Sequence, residues 1–525
     1  LMSLIQLYDT TLRDGAQYEG ISFSVEDKIN ILKKLDELGI HFVEGGWPGS
    51  NPKDAEFFHL AQSIKLQNST LTAFGSTRRS GIDVKNDPQI QSLLDSQVSV
   101  ITLVGKSWDL HVTEILETTL EENLSMIKDS IEYLRNNNKR VFFDAEHFFD
   151  GYKNNPEYAM DVISVAAESG AECVVLCDTN GGAIPSEISS IITRISDQFN
   201  INLGIHTHND TDMAVASSLA ALDCGAIQVQ GTINGYGERC GNANLISLIA
   251  NLKLKKNINC ISDQQLEKLS EISRYVAEIA NMPSISNQPF VGSTAFAHKG
   301  GLHASAVQKV EDSYQHVSPH TVGNEKRVLV SELSGKSNIL WKTEERLGFK
   351  LEPSKATQLL ALIKDKENQG YQYEGAEASF ELLVLRTLPE YISPFNLVDF
   401  MTIIEKKNET ILNISSQVMV KVEVDGREMH TASNGDGPVN ALDNALRKAL
   451  LEFYPEIGIV RLNDYKVRVV DQQSGTGSIV RVLIESTDGD QTWTTVGSSE
   501  NIIEASWIAL SDSLEWWLLK REGKF

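Results

Sequence analysis

A parallel eight-stranded α/β barrel of the TIM type, a helical linking region and a C-terminal α+β domain are predicted from this 525-residue sequence. Eight short apolar, β-prone runs alternate with amphipathic helical stretches between Leu4 and about Leu254. Eight strand–helix units in ~250 residues is the count and size of such a barrel. The polar clusters follow the strand runs, where a barrel carries its catalytic groups. An open doubly wound sheet is the alternative. After about residue 377 a strand–turn–strand–helix order occurs twice, which predicts a small α+β domain with internal duplication.

The strand runs are residues 5–8, 41–44, 71–74, 98–104, 141–145, 173–177, 203–205 and 226–229. Helices are expected at 25–38, 120–135, 158–168 and 187–199. Within the first, Ile29, Leu32, Leu35 and Leu38 recur at threes and fours. Ser24 with Asp27, Pro156 and Pro185 mark helix starts, and Gly39, Gly170 and Gly225 mark stops. Domain bounds follow as 1–258 for the barrel, 259–376 for linker subdomains that contribute to the site, and 377–525 for a regulatory domain. In the last, strands are expected at 417–424, from the following turn up to Gly435–Pro438, at 479–485 and at 492–496. Turns fall at 425–426 and 488–490, a break at Gly497, and helices at 439–453 and 502–518.

Composition narrows the function. Hydrophobic content of 41% and charged content of 22% are those of an ordinary globular protein. A net charge of −24 argues against nucleic acid and against an anionic membrane surface. Five scattered cysteines suit a reducing, cytoplasmic setting without disulfides. No basic-then-apolar leader and no bilayer-length apolar run are seen.

The chemistry centres on I-N-L-G-I-H-T-H-N-D-T-D from Ile201 to Asp212. Residues two apart on a strand share a face, so His206 and His208 can converge on one point. Asp14 follows the first strand and Asn242 the eighth, and strands seven, eight and one are consecutive in a closed barrel, so both residues can reach that point. Two imidazoles, a carboxylate and open positions suit a divalent metal that chelates a 2-oxo acid and polarises its ketone. Arg13 can stabilise the alkoxide that develops. Glu146, in D-A-E-H, is either a base or the group that orients one. His147 points the other way. Thr179 can hydrogen-bond a substrate carboxylate. G-Y-G-E-R-C-G-N offers Gly235, Gly237, Arg239 and Gly241 to an anion such as a CoA phosphate. H-K-G-G-L-H places His303 on a glycine loop beyond the barrel, and Tyr314 follows it. Gly435, Gly437 and Pro438 form the turn nearest a regulatory site. The same His-His-Asp set also occurs in non-haem iron oxygenases. A non-catalytic amino-acid sensor is a third class.

DTTLRDGAQ, HTHND, GTINGYGERCGNAN and GGLHASA together resemble the Claisen-condensing family that contains 2-isopropylmalate, homocitrate and citramalate synthases. FGSTRR, GKSWDLHV, DAEHFFDGYK, YEGAEASFELL and VGSSENIIEASW are similar to its long bacterial members that use pyruvate. The resemblance spans the chain, including GDGPVNALDNALRKAL in the last domain. It implies a TIM barrel, a divalent metal (Mg²⁺, Mn²⁺, Zn²⁺ or Co²⁺), acetyl-CoA and pyruvate as substrates, and a homodimer with shared active sites. It also implies feedback inhibition by an amino acid, with isoleucine the expected effector of an isoleucine-forming pathway. By position, Asp14, His206 and His208 match the metal ligands, with Asn242 a more distant one. Arg13 matches the catalytic arginine, and Glu146 with His303 of the other subunit the pair that deprotonates acetyl-CoA. Tyr314 matches a linker tyrosine. Acceptors of the 2-isopropylmalate or homocitrate type remain open, as does a retro-aldol lyase. E-G-G-W-P-G-S after the second strand departs from the E-V-G-F-P type, and Trp47 there would narrow the pocket toward a small oxo acid.

Overall fold

The computed structural model describes residues 5–298, 310, 314–325, 327–328, 336–373, 375–406, 414–470 and 478–523. They fall into two compact units. One comprises the described residues of 1–296 and 316–326, and the other those of 297–315 and 327–525.

The first unit is a closed barrel of parallel strands in sequential order: β1 (Gln6–Asp9), β2 (Phe42–Glu44), β3 (Thr70–Ser76), β4 (Val100–Lys106), β5 (Arg140–Glu146), β6 (Cys173–Asp178), β7 (Leu203–Thr207) and β8 (Gln228–Gly231). β8 closes on β1 with Gln6 opposite Gln228. Alternation along the strands divides the apolar residues into two layers. Tyr8, Phe42, Val100, Phe142, Cys173, Val175 and Cys177 fill the barrel interior. Leu7, Val43, Ile101, Val141 and Val174 belong to the larger core that the helices cover. The first helix, Val25–Leu38, starts in a reciprocal cap between Ser24 and Asp27 and ends at Gly39 in the left-handed region, φ +86°.

Several strands run further than apolarity alone predicts. β5, β6 and β7 extend to Glu146, Asp178 and Thr207, because ladder pairing continues past the last apolar residue to the polar mouth. β8 lies two residues later than expected. It carries Gln228 and Gln230, both fully buried and facing the interior, which a hydropathy reading treats as a strand end.

The second unit holds two three-stranded antiparallel sheets, each followed by a helix. Asn396–Lys406, Ile414–Val424 and Arg427–Gly435 precede Pro438–Leu450. Arg461–Val469, Val480–Thr487 and Thr492–Ser499 precede Ile502–Arg521. The duplication is therefore βββα. Its first strands escape the sequence reading because they are edges with exposed apolar residues that do not keep to one face, such as the consecutive Ile403 and Ile404 beside Met401 in the first and Val467 in the second. Gly497 does not break its strand. A Cβ there would collide with the Ala505 carbonyl, so the glycine lets the last helix approach the sheet, as Gly435 does at Ala441 in the other half. All five cysteines are free thiols. No helix among the described residues is long and apolar enough to cross a membrane.

Candidate active site

The C-terminal ends of the strands surround a cavity of 580 Å³ lined by, among others, Arg13, Asp14, Trp47, Lys106, Glu146 and Thr179. His206 is the last residue but one of β7, and His208 lies just beyond the strand in a bridge to Asn242. Both rings turn inward with centroids 5.2 Å apart. Their Nε2 atoms lie 3.3 and 3.8 Å from one Asp14 oxygen, and the three donor groups all fall within 4.8 Å of one another.

His206 and Asn242 are each held from behind. His206 Nδ1 meets Gln230 Oε1 at 2.8 Å, and Gln230 Nε2 donates to Asp144 at 3.0 Å. With the Gln230 carbonyl accepting from Nδ1–H, Nε2 is the nitrogen that faces Asp14, which holds the imidazole pKa above its ordinary value against the effect of burial. Asn242 Nδ2 donates to the Tyr236 carbonyl at 3.2 Å, while its Oδ1 is buried and has no hydrogen-bond partner among the described residues. The glycine turn serves this arrangement. Gly237 lies against the Asn242 amide and Gly241 against the Gly235 carbonyl, and a Cβ at either would collide.

Electrostatics follow the geometry. Burial opposes the charge on Asp14, but Arg13, His206 and His208 outweigh it and hold the carboxyl below the ordinary carboxylate range. Burial, with His206 beside it, pushes His208 down to about 4, so that imidazole is neutral near pH 7. Asp144 is raised to about 7 by burial and by Glu44.

Arg13 is fixed on three sides. Its Nε donates to Glu44 at 2.6 Å, its NH1 lies 3.4 Å from Asp14, and its guanidinium carbon sits 3.9 Å above the Phe74 ring. Glu44 ends β2 fully buried and also accepts from the Tyr8 and Thr10 hydroxyls. Trp47 packs edge-on against Phe74 at 5.5 Å, with Nε1 held by Gln89 at 2.6 Å. Thr179 Oγ1 accepts from the His147 amide at 2.9 Å, which leaves its own proton for a ligand in the cavity. His147 itself is in the left-handed region, φ +55°, and its ring packs on His111 at 4.4 Å, outside the cavity lining.

The chain matches the HMGL-like model over residues 4–276, a homocitrate synthase post-HMGL domain-like model over 290–371, and the LeuA allosteric (dimerisation) domain over 374–518. The chain belongs to the HMGL-like family. It is 53% identical to an (R)-citramalate synthase of Aquifex aeolicus over 99% of this chain and 98% of that one. It is 54% identical to an (R)-citramalate synthase of Geobacter sulfurreducens over 99% of each. A probable 2-isopropylmalate synthase of Methanopyrus kandleri is 31% identical over 96% of each.

Two imidazole nitrogens, a carboxylate oxygen and an unsatisfied amide oxygen make a donor set that fits a divalent cation. Of this set Asp14, His206 and His208 line the cavity beside Arg13, while Asn242 is bridged to His208 and does not line it. The structure brings Arg13, Asp14, Glu146, Thr179, His206 and His208 to one cavity. Gly235, Gly237 and Gly241 lie on the turn behind Asn242. The Arg239 guanidinium is held by Asp210 at 2.8 and 2.9 Å and by the Thr179 carbonyl at 2.7 Å. His303 lies outside the described residues. Tyr314 is half exposed in the second unit. Gly435, Gly437 and Pro438 form the turn from a strand into the helix Pro438–Leu450.

Glu44, Gln230 and Lys106 complete the site without having been singled out in the sequence. Each lies at or just past the end of an apolar run: Glu44 ends the second, Gln230 follows the eighth and Lys106 lies two residues beyond the fourth.

Proposed function

We propose that this protein condenses acetyl-CoA with pyruvate and water to give citramalate and CoA, as a step toward isoleucine. The observation that carries the reading is the convergence of Asp14, His206 and His208 beside Arg13 at the floor of the 580 Å³ cavity. The full-length similarity to the two (R)-citramalate synthases supports pyruvate as the acceptor.

The pyruvate carboxylate accepts the Thr179 hydroxyl proton. The ketone oxygen faces Arg13, whose Nε is occupied by Glu44, so its remaining N–H groups meet the negative charge that develops. A divalent cation held by Asp14, His206, His208 and Asn242 would act there as a Lewis acid. Glu146 and His303, the latter from the partner subunit of a homodimer, take a proton from the acetyl methyl. The enolate carbon then bonds to C2 of pyruvate, and the ketone oxygen becomes the tertiary hydroxyl. Water cleaves the thioester and releases CoA. The Gly235–Gly241 turn receives the CoA anion. In the C-terminal domain the strand-to-helix turn at Gly435, Gly437 and Pro438 belongs to an effector site for isoleucine.

Trp47 gives this reading its selectivity. Its ring is pinned by Gln89 and Phe74, so the wall does not retreat from a branched acceptor. Two extra methyl groups would overpack it at a cost of ~1–3 kcal/mol. Thiol release with acetyl-CoA and matched oxo acids tests the proposal. Pyruvate should give the highest kcat/KM, and 2-oxoisovalerate about 10- to 100-fold less. A preference for 2-oxoisovalerate would overturn it.

A further inference from the structure

Lys106 is a charged residue of the cavity that the reaction as written does not use. It is the last residue of β4, and Glu146 is the last of β5. The two are register partners in the parallel ladder, so their side chains leave the sheet side by side toward the mouth. The Lys106 ammonium is hydrogen-bonded to Glu146 Oε2. Both side chains are about a quarter exposed, 22% and 25%, and both line the cavity.

The next residue grips the same glutamate from the other end. Ser107 donates to the Glu146 carbonyl through its amide at 3.3 Å and its hydroxyl at 2.6 Å. The Lys106 carbonyl is itself tied by Asn123 Nδ2 at 2.9 Å. Gly151 permits this stitch, since a Cβ there would collide with the Ser107 carbonyl. The chain thus builds a clamp that fixes both the backbone and the carboxylate of Glu146. A carboxylate with one oxygen occupied by an ammonium is restricted to a single orientation and offers its other oxygen as an acceptor.

We propose that Lys106 is a positioning residue: it fixes Glu146 as an acceptor that orients the proton-taking histidine, so that Glu146 is not itself the base. This rests on the role given to Glu146 above. A free ammonium in the same place would instead act on substrate directly. The two cases differ in how mutations combine, because a residue acting only through another adds nothing once that other is gone.

The experiment compares K106M, K106R, E146Q and K106M/E146Q in the full-length, metal-loaded protein, with thermal melts to show that each is folded. K106M should lower kcat about 10- to 100-fold, the usual cost of losing such a supporting contact, while KM for pyruvate changes less than about threefold. The kinetic isotope effect with trideuterated acetyl-CoA should rise in K106M, because proton removal becomes slower. K106R should recover most of the rate. K106M/E146Q should be no slower than E146Q. If the double variant falls as far as the product of the two singles, Lys106 acts on substrate and the positioning role is overturned. An active, folded K106M beside an inactive E146Q also overturns it. An E146Q enzyme that turns over normally would refute the earlier role of Glu146, a result distinguishable from failure of the clamp alone.

Discussion

The barrel mouth and the C-terminal domain each contain a buried charge cluster, and the two are finished differently. In the C-terminal domain Arg386 donates to Asp512 at 2.7 Å and to Glu515 at 2.8 and 3.3 Å. Tyr391 adds a bond to Glu515, and Ser379 one to Asp512 at 3.1 Å. Close by, Glu381 accepts from Arg346 at 2.6 Å and from Trp516 at 2.7 Å. None of these atoms faces a cavity described for that unit. At the barrel mouth the charges are equally dense, but Asn242 Oδ1 and His208 Nδ1 are buried without partners, and one Asp14 oxygen lies between two imidazoles. A satisfied cluster holds chain segments together. A cluster left short of partners and opening on a cavity awaits a ligand.

Removing one member from each cluster should break this contrast in opposite ways. The largest effect is expected from D14A. Loss of the shared carboxylate should lower kcat/KM by more than ~10³-fold. Divalent-metal binding, read by calorimetry on chelator-stripped protein, should weaken in parallel, and the stripped variant should stay folded with a modestly lower melting temperature, because Arg13 and His206 lose their shared carboxylate. Wild-type turnover in fully stripped enzyme, or unweakened metal binding by D14A, would remove the metal reading.

R386M should do the reverse. It leaves Asp512 and Glu515, 6% and 4% exposed, unpaired and beside each other. The carboxylates are buried but Arg386 is 37% exposed, so solvent screening reduces the loss to roughly 1–3 kcal/mol. Tryptophan fluorescence during denaturant unfolding should report the loss, since Trp516 lies in the same network. The kcat/KM of the folded protein should be unchanged. An R386M protein as stable as the parent would mean that this cluster, too, serves something other than packing.

The same contrast explains what was legible in the sequence. The barrel could be read because its strands are apolar on both faces and its helices carry a clear period and capped ends, as at Ser24 and Gly39. The ligands could be read because H-x-H forces two rings to one side of a strand. What surrounds them could not. Gln230 reaches Asp144 across 86 positions and Glu44 reaches Arg13 across 31, and local pattern carries no trace of such pairings. The first strands of the two C-terminal sheets were hidden for a different reason. Asn396–Lys406 exposes apolar residues at adjacent positions, such as Ile403 and Ile404, and so on both faces, which blurs the alternation that marks a half-buried strand.

The smallest effect sharpens the comparison by showing what the mouth costs in stability. Asp9 ends β1, is fully buried, and accepts from the Thr11 amide at 2.9 Å and hydroxyl at 2.8 Å. Burial dominates those bonds and raises its carboxyl to about 7. In the unfolded chain an aspartate titrates near ~3.9. Between about pH 4 and pH 7 the folded protein therefore keeps a proton that the unfolded chain has released. Stability must fall as pH rises through that window, with no further change above it. Asp144, also raised to about 7, acts in the same direction. D9N is neutral throughout and removes the Asp9 share while keeping an acceptor for the Thr11 amide. Melting temperatures of wild type and D9N, measured in chelator at pH 5, 6, 7 and 8, should diverge in favour of D9N as pH increases. A difference that stays constant from pH 5 to pH 8 would mean that Asp9 is already ionised in the fold at pH 5, and the mouth would then carry that charge without a stability penalty.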